Sequence, residues 1–377
     1  MQSKEEGVRA TNQDFIRYDQ VEKKQNYRLA EGLEGEEFDD EFRIRTADIG
    51  RFLYGTGDDK RAFAKDLGDA MHEIGFAILV GHGVDPNLYA EAEQRIEEIF
   101  RTLTLDDKMR FRAERFGSVN QGYFPIKETS NMHPDLVEGW VFCRRAFEDV
   151  RSFWPDRGSG LKSKVPARDD TLDFRPDPTS DPTSDAEFFR RIVEGHEKLI
   201  LPVMQSLLTY LGCDTHLFDT KLTGTNFGLR LNYYPPVSDA DDASGAARLL
   251  GHEDIDLFTF LPAPRVEGLQ ILNRRNMKWV RIEAPPGSII LNTGDYMQRI
   301  SNDIFPSTTH RVSKPRDPRQ RTGTRVSFPM AVYLWENEML EVLPCIANPK
   351  YPPVKAIQFH TSITSKFYGD DYAVTEA

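Results

Sequence analysis

From Leu257 to Asn292 the chain repeats one phrase, a short apolar run closed by a Pro or Gly turn. The runs are Leu257-Phe258-Thr259-Phe260-Leu261, Gly268-Leu269-Gln270-Ile271-Leu272, Trp279-Val280-Arg281-Ile282 and Gly287-Ser288-Ile289-Ile290-Leu291-Asn292. Short strands of this kind, broken by turns, read as an antiparallel sandwich or jelly roll. Three polar pairs flank the region at spacing i, i+2: Asn232 with Tyr234 and His252 with Asp254 before it, and Arg325 with Ser327 after it. Strand residues two apart face the same side. A jelly roll can therefore aim all three pairs into one cavity. Arg230 shares the face of Asn232 and Tyr234. It reads first as a structural ion-pair partner and second as a ligand contact.

The middle pair suggests a metal. A neutral imidazole and a carboxylate on one strand face can bind a single cation. His310, within Ser307-Thr308-Thr309-His310-Arg311-Val312, lies far enough downstream for the chain to return with a third ligand. Two His and one carboxylate on one face of a metal leave the opposite positions open, the arrangement used by non-heme Fe(II) oxygenases. A lone H-x-D arises by chance in any long chain, so the weight lies on its setting among the strands. Glu253, between the two ligands, should face away from the metal.

The complete pattern resembles the Fe(II)/2-oxoglutarate-dependent oxygenases, in the branch that includes isopenicillin N synthase. His252, Asp254, His310, Arg325 and Ser327 match H-x-D…H…R-x-S in order, and Arg230-Leu231-Asn232-Tyr233-Tyr234-Pro235-Pro236 matches an N-Y-Y-P stretch. The resemblance runs from about Arg45 to Val342. It implies a double-stranded β-helix (jelly-roll) core with flanking helices, a bound Fe(II), 2-oxoglutarate as cosubstrate and O2. His252, Asp254 and His310 would be the metal ligands. Arg325 and Ser327 would meet the distal carboxylate of 2-oxoglutarate, with Asn232 and Tyr234 helping to hold it. The substrate would be a small organic molecule, undergoing hydroxylation, desaturation or ring closure. Halogenation does not fit, because Asp254 occupies the place where iron halogenases lack a carboxylate.

Composition narrows the partners. A formal net charge of -12 argues against sequence-independent nucleic-acid binding, which needs clustered Lys and Arg. It disfavours the nucleic-acid demethylase branches of the superfamily. Cys143, Cys213 and Cys345 are scattered and odd in number, so no disulfide framework is expected and a cytoplasmic location follows. The N-terminus lacks an apolar signal core, and no apolar run approaches the ~20 residues needed to span a bilayer. Nothing in the sequence sets an oligomeric state.

Four segments are expected within one catalytic unit. Residues 1–44 form a polar arm, with seven acidic residues between Glu31 and Glu41. Residues 45–216 form an α/β region and a backing helix. Helical spacing follows Asp58-Asp59-Lys60, a strand runs Phe76 to Val80, and a second helix carries Leu88, Ala92, Ile96, Ile99 and Phe100. His82, in a tight Gly-His-Gly turn, reads as structural. By the resemblance, Asn120, Tyr123 and Phe124 border the substrate pocket. Tyr123 and Phe124 either line it or pack beneath it. Asn120 stands near the place of a substrate-gripping Arg in the penicillin-forming enzyme and cannot make that clamp. Residues 147–183 form a long surface loop. Ser184-Asp185-Ala186-Glu187 then caps a long helix, with Pro202 expected to kink it and Gly212 to stop it. Residues 217–334 hold the jelly-roll core, and residues 335–377 a tail and terminal helix covering its mouth.

One irregularity bears on the register. The gap from His310 to Arg325 is long and holds Arg319 and Arg321 as competitors, in what reads as an extended hairpin loop. Arg325 is preferred because it begins the apolar strand Val326 to Leu334. Two rival functions stand beside the main one. The first is an Fe(II) oxidase of the same fold that needs no 2-oxoglutarate, which the Asn232/Tyr234 pair disfavours. The second is a catalytically silent binding protein, which would have no need of all three ligands.

Overall fold

The chain's strands fall where short apolar runs alternate with turns, and they assemble into two main sheets and a separate short pair, Met339–Leu340 with Val354–Lys355. The structure is a computed structural model. It describes residues 37–116, 118–126, 135–148, 184–244, 247–315 and 317–368. In chain order the strands are β1 Thr46–Asp48, β2 Phe76–Val80, β3 Glu114–Phe116, β4 Val119–Phe124, β5 Glu138–Cys143, β6 Asn226–Tyr234 and β7 Leu249–His252. They continue with β8 Phe258–Pro262, β9 Leu269–Asn273, β10 Lys278–Arg281, β11 Ile289–Thr293, β12 His310–Val312, β13 Arg325–Ser327 and β14 Met330–Tyr333. The large sheet runs β1-β2-β11-β8-β14-β6-β5-β4-β3, with β13 also paired to β6; the smaller runs β10-β9-β12-β7. Only β1 and β2 pair in parallel within these sheets, among the described residues. The result is the expected mainly β jelly roll with flanking helices.

Alternation along the strands decides what is core and what is cavity. On β6, Phe227, Leu229, Leu231 and Tyr233 enter the main hydrophobic core. Gly228, Arg230, Asn232 and Tyr234 line the cavity between the sheets. On β8, Phe258 and Phe260 go to the core, while Thr259 and Leu261 face the cavity. On β14, Met330 and Val332 are core, and Ala331 and Tyr333 are cavity.

Helices seal the outer face of the large sheet. Helix Gly57–Ile74 starts at Thr56, whose hydroxyl accepts from Asp59 N while the Asp59 carboxylate accepts from Thr56 N. Helix Pro86–Thr102 is capped by Asp85. The long helix Asp185–Tyr210 starts at Ser184, whose side chain accepts from Glu187 N, and continues through Pro202. Its Leu199, Val203 and Leu207 join Phe258, Phe260 and Val332 in one cluster, so it backs the sheet as expected. Gly212 follows the helix at φ 72°. His196 is fully buried on it, and burial lowers its imidazole to about 3. Tyr89 Oη lies 3.0 Å from its Nε2, a structural role. His82 Nε2 is 2.9 Å from Gly287 O, likewise structural. The terminal helix runs Ala356–Tyr368. Among the described residues, no helix is long and apolar enough to cross a membrane.

Four expectations change. The single strand Val326 to Leu334 is two strands, β13 and β14, separated by Phe328-Pro329. Proline has no N–H to give a ladder, and Pro329 contributes only its carbonyl, which accepts from Arg230 N at 2.9 Å. The loop before β13 is no plain hairpin, because it contains a helical turn, Pro318–Arg321, capped by Asp317. Cys213 and Cys345 are disulfide-bonded, with Cα atoms 5.3 Å apart. The pairing was hidden by a separation of 132 residues, and it removes the cysteine argument for a reducing compartment. Finally, residues 37–44 of the polar arm dock on β10. Phe38 bridges to Trp279, and Asp40 pairs with Arg281 at 2.7 Å. Residues 1–36 and 149–183, which carry most of the arm and of the long-loop expectation, lie outside the described residues.

The contact between the backing helix and helix Gly57–Ile74 rests on Gly68, where a Cβ would run into the Tyr210 ring. Gly→Ala in a helix interior ordinarily gains ~1 kcal/mol, whereas overpacking costs about 1–3 kcal/mol. Gly68→Ala should therefore lower the urea unfolding midpoint. A raised midpoint would show that Tyr210 yields without cost.

Candidate active site

His252 ends β7, His310 begins β12, and the two are register partners across that ladder. Their rings lie 4.4 Å apart between centroids. Asp254 follows His252 in the connection to β8. Its Oδ1 sits 3.7 Å from His252 Nε2 and 3.8 Å from His310 Nε2. Among the described residues, this is the one cluster of three potential metal-ligating side chains whose donor atoms all lie within 4.8 Å of one another.

The surroundings prepare each donor. His252 Nδ1 is 2.9 Å from Leu250 O, and His310 Nδ1 is 3.0 Å from Thr308 O. A carbonyl can only accept, so each Nδ1 carries the proton and each Nε2 presents a lone pair. Burial, with His310 beside it, lowers the His252 imidazole to about 4, which keeps it neutral. Burial pushes Asp254 upward, but His310, His252, Asn292 and Thr259 outweigh it and hold the carboxyl below its ordinary value. Asn292 Nδ2 donates to Asp254 Oδ2 at 2.8 Å and Thr259 Oγ1 donates to the same oxygen at 3.0 Å. Oδ1 is left for a cation. Two imidazole nitrogens and one carboxylate oxygen fit a divalent transition metal. Glu253 turns away, accepting from Arg274 at 3.0 Å and Thr309 at 3.1 Å.

The opposite wall carries the second expected group. β13 pairs with β6 so that Arg325 faces Tyr234 and Ser327 faces Asn232. Arg325 is 1% exposed. Its Nε donates to Val266 O at 3.2 Å and its guanidinium lies 4.8 Å from the Tyr234 ring centroid. Its buried Nη1 has no hydrogen-bond partner. Ser327 Oγ accepts a long bond of 3.4 Å from Asn232 Nδ2, leaving the hydroxyl proton free to donate. An unspent guanidinium N–H beside a hydroxyl fits a carboxylate. Arg319 points outward, its side chain 90% exposed, and Arg321 donates to Pro315 O.

One cavity of about 270 Å³ is lined by Asn232, Tyr234, His252, Asp254, His310, Arg325 and Ser327 together. Asn120 and Phe124 line it as well. Tyr123, between them in strand register with the opposite face, does not. It is buried beneath, its hydroxyl donating to Glu138 at 2.5 Å. Arg230 reaches the cavity without the ion pair expected of it: among the described residues no carboxylate pairs with it. The sequence reading missed Asn292 and Thr259. The signal was a polar residue on an apolar strand, which by itself does not name its partner. It also missed His360 and Thr364, which the terminal helix brings to the cavity from far along the chain.

Two family models match the chain: the 2OG-Fe(II) oxygenase superfamily over residues 225–331, and the N-terminal region of non-haem dioxygenases in morphine synthesis over residues 44–159. Gibberellin 3-beta-dioxygenase 1 of Oryza sativa subsp. japonica is 30% identical over 314 residues, covering 80% of this chain and 71% of that protein. The 2-oxoglutarate-Fe(II) type oxidoreductase hxnY of Emericella nidulans is 24% identical, covering 84% and 88%. Among solved structures, a full-length Neurospora crassa protein in complex with alpha-KG and thymine superposes with TM-score 0.69 at 20% identity, covering 86% of this chain and 97% of that one. The rice dioxygenase for auxin oxidation gives 0.64 at 23%, covering 88% and 99%. These two likenesses carry the fold.

Partners that orient a ligand are worth roughly 10–100-fold in metal affinity. Asn292→Ala should therefore weaken anaerobic Fe(II) binding by about that factor, with the circular dichroism spectrum unchanged. Unaltered affinity in that variant would show that Asp254 does not depend on Asn292.

Proposed function

The chain belongs to the 2OG-Fe(II) oxygenase superfamily, and on that premise we propose that His252, Asp254 and His310 hold Fe(II) while Arg325 and Ser327 bind the distal carboxylate of 2-oxoglutarate. It is a 2-oxoglutarate-dependent oxidoreductase acting on a small organic molecule. The relatives' names speak of gibberellin, thymine and auxin, and only the class of small molecule is carried over from them. Hydroxylation, desaturation and cyclisation all remain within that class.

The observation that carries this reading is one cavity with a poised three-donor cluster on one wall and an acceptor-less buried Arg325 Nη1 on the other. When bound, Fe(II) with 2-oxoglutarate and O2 supplies the oxidising chemistry, releasing succinate and carbon dioxide. The chain supplies geometry. The two imidazoles and Asp254 would hold the metal from one wall of the cavity, with Arg325 on the opposite wall for the cosubstrate. Asn292 and Thr259 hold the Asp254 carboxylate in its orientation. Arg325 fixes the far end of 2-oxoglutarate with a charge-assisted bond, and Tyr234 packs against that guanidinium. Asn232 keeps Ser327 in place. Val119, Val141, Leu250, Ile255 and Leu261 give the cavity apolar walls.

A hydrogen bond to a charged group contributes ~1.5–3 kcal/mol, and ~1.4 kcal/mol is one decade in affinity. Arg325→Ala should weaken 2-oxoglutarate binding at least ~10-fold while Fe(II) binding stays nearly unchanged. Arg325→Lys should recover only part, since an ammonium cannot reproduce the planar fork. Wild-type 2-oxoglutarate affinity in Arg325→Ala would contradict the assignment.

Each of His252→Ala, Asp254→Ala and His310→Ala should lose most bound Fe(II), measured by metal analysis after anaerobic reconstitution. Full occupancy in any two of them would rule out the ligand set.

A further inference from the structure

The β6 ladder orders the cavity from one end to the other. Tyr234 stands opposite Arg325, Asn232 opposite Ser327, and Gly228 opposite Ala331. Arg230 lies between the last two steps, its own N–H bonded to Pro329 O. At a rise of ~3.4 Å per residue it sits about 7 Å along the strand from Asn232, away from the Arg325 end. The residues around and beyond it are mostly apolar or small: Val119, Phe124, Val141, Gly228, Ala331 and Tyr333 line that end, with Ser118 beside them and His360 against Tyr333 at 5.4 Å between ring centroids. Asn120 is a neutral amide there.

Arg230 is held in place but not satisfied. Its guanidinium lies 5.5 Å from the Phe124 ring centroid. It also lies across Gly139, where a Cβ would approach its Nε to 3.1 Å. Glycine at 139 therefore gives the guanidinium its bed on the neighbouring strand. Its buried Nε has no hydrogen-bond partner, and among the described residues no acidic side chain pairs with it. A half-buried cation with unspent donors, fixed in a mostly apolar chamber, contributes little to folding. It is arranged for a guest.

We propose that Arg230 is the substrate-gripping cation of this cavity, and that the substrate is a small molecule bearing one carboxylate on an apolar body. This rests on the 2-oxoglutarate oxygenase reading above. A single guanidinium matches a single planar carboxylate in charge and in donor geometry. The apolar wall toward Gly228 and Tyr333 matches the rest of the molecule.

The test compares matched pairs on protein loaded anaerobically with Fe(II) and 2-oxoglutarate. The probes are 4-phenylbutanoate, indole-3-propanoate and nonanoate, each against its primary amide, with dissociation constants measured by calorimetry. At least one acid should bind ~10-fold or more tightly than its amide, a hydrogen-bonded charge pair being worth at least that decade. Arg230→Gln should erase the preference, Arg230→Lys should keep part of it, and both should bind 2-oxoglutarate within about twofold of wild type. A panel in which no acid outbinds its amide overturns the proposal. So does a preference that survives Arg230→Gln, or a loss of 2-oxoglutarate affinity in that variant, which would assign Arg230 to the cosubstrate. Should the wild-type protein bind neither Fe(II) nor 2-oxoglutarate, the oxygenase reading fails. The acid–amide comparison then still decides Arg230 on the metal-free protein.

Discussion

The Asp254 carboxylate is the constraint on which the site depends. It is a half-buried anion between two imidazoles, and burial pushes its carboxyl upward. Two donors on neighbouring strands, Thr259 of β8 and Asn292 of β11, take one oxygen and leave the other toward the imidazoles. Backbone carbonyls fix both imidazole tautomers. The donor set is thus preorganised by the large sheet, although its histidines belong to the small one. The two Nε2 lone pairs and Oδ1 converge on one point. Their surroundings make an electron-rich corner whose natural complement is a divalent metal.

Period-two alternation links that corner to the rest of the molecule. The same strands that send Phe258, Phe260, Leu229, Leu231 and Val332 to the apolar core send Thr259, Arg230, Asn232 and Ala331 into the cavity. A one-residue slip would exchange the two sets. The apolar core therefore fixes the register of the chemistry. The break at Phe328-Pro329 belongs to this scheme, since both β13 and β14 continue along β6 and keep Arg325, Ser327 and Ala331 on its cavity side.

Much of this was legible in the sequence because it is local. The i, i+2 spacing of His252 with Asp254, Asn232 with Tyr234 and Arg325 with Ser327 places each pair on a face before any tertiary structure is known. The apolar strand following Arg325 also separates it from Arg319 and Arg321, which the structure leaves outside the cavity. What was not legible is what distant segments bring together. Cys213 meets Cys345 across 132 residues, and no local pattern marks it. Tyr123 and Phe124 are adjacent, so only the strand's orientation tells which lines the cavity. Arg230 read first as an ion-pair partner, and that no carboxylate among the described residues pairs with it is a property of the assembled cavity. Asn292, His360 and Thr364 likewise gain meaning only from what lies opposite them.

The central claim is that one cavity unites a metal with 2-oxoglutarate as obligatory cosubstrate. Oxygen uptake and succinate release, followed together in Fe(II)-loaded protein, test it most directly. The account requires succinate to appear in step with oxygen consumed, and both to stop when 2-oxoglutarate is withheld. Sustained oxygen consumption without 2-oxoglutarate would contradict it and reassign Arg325 to gripping a substrate.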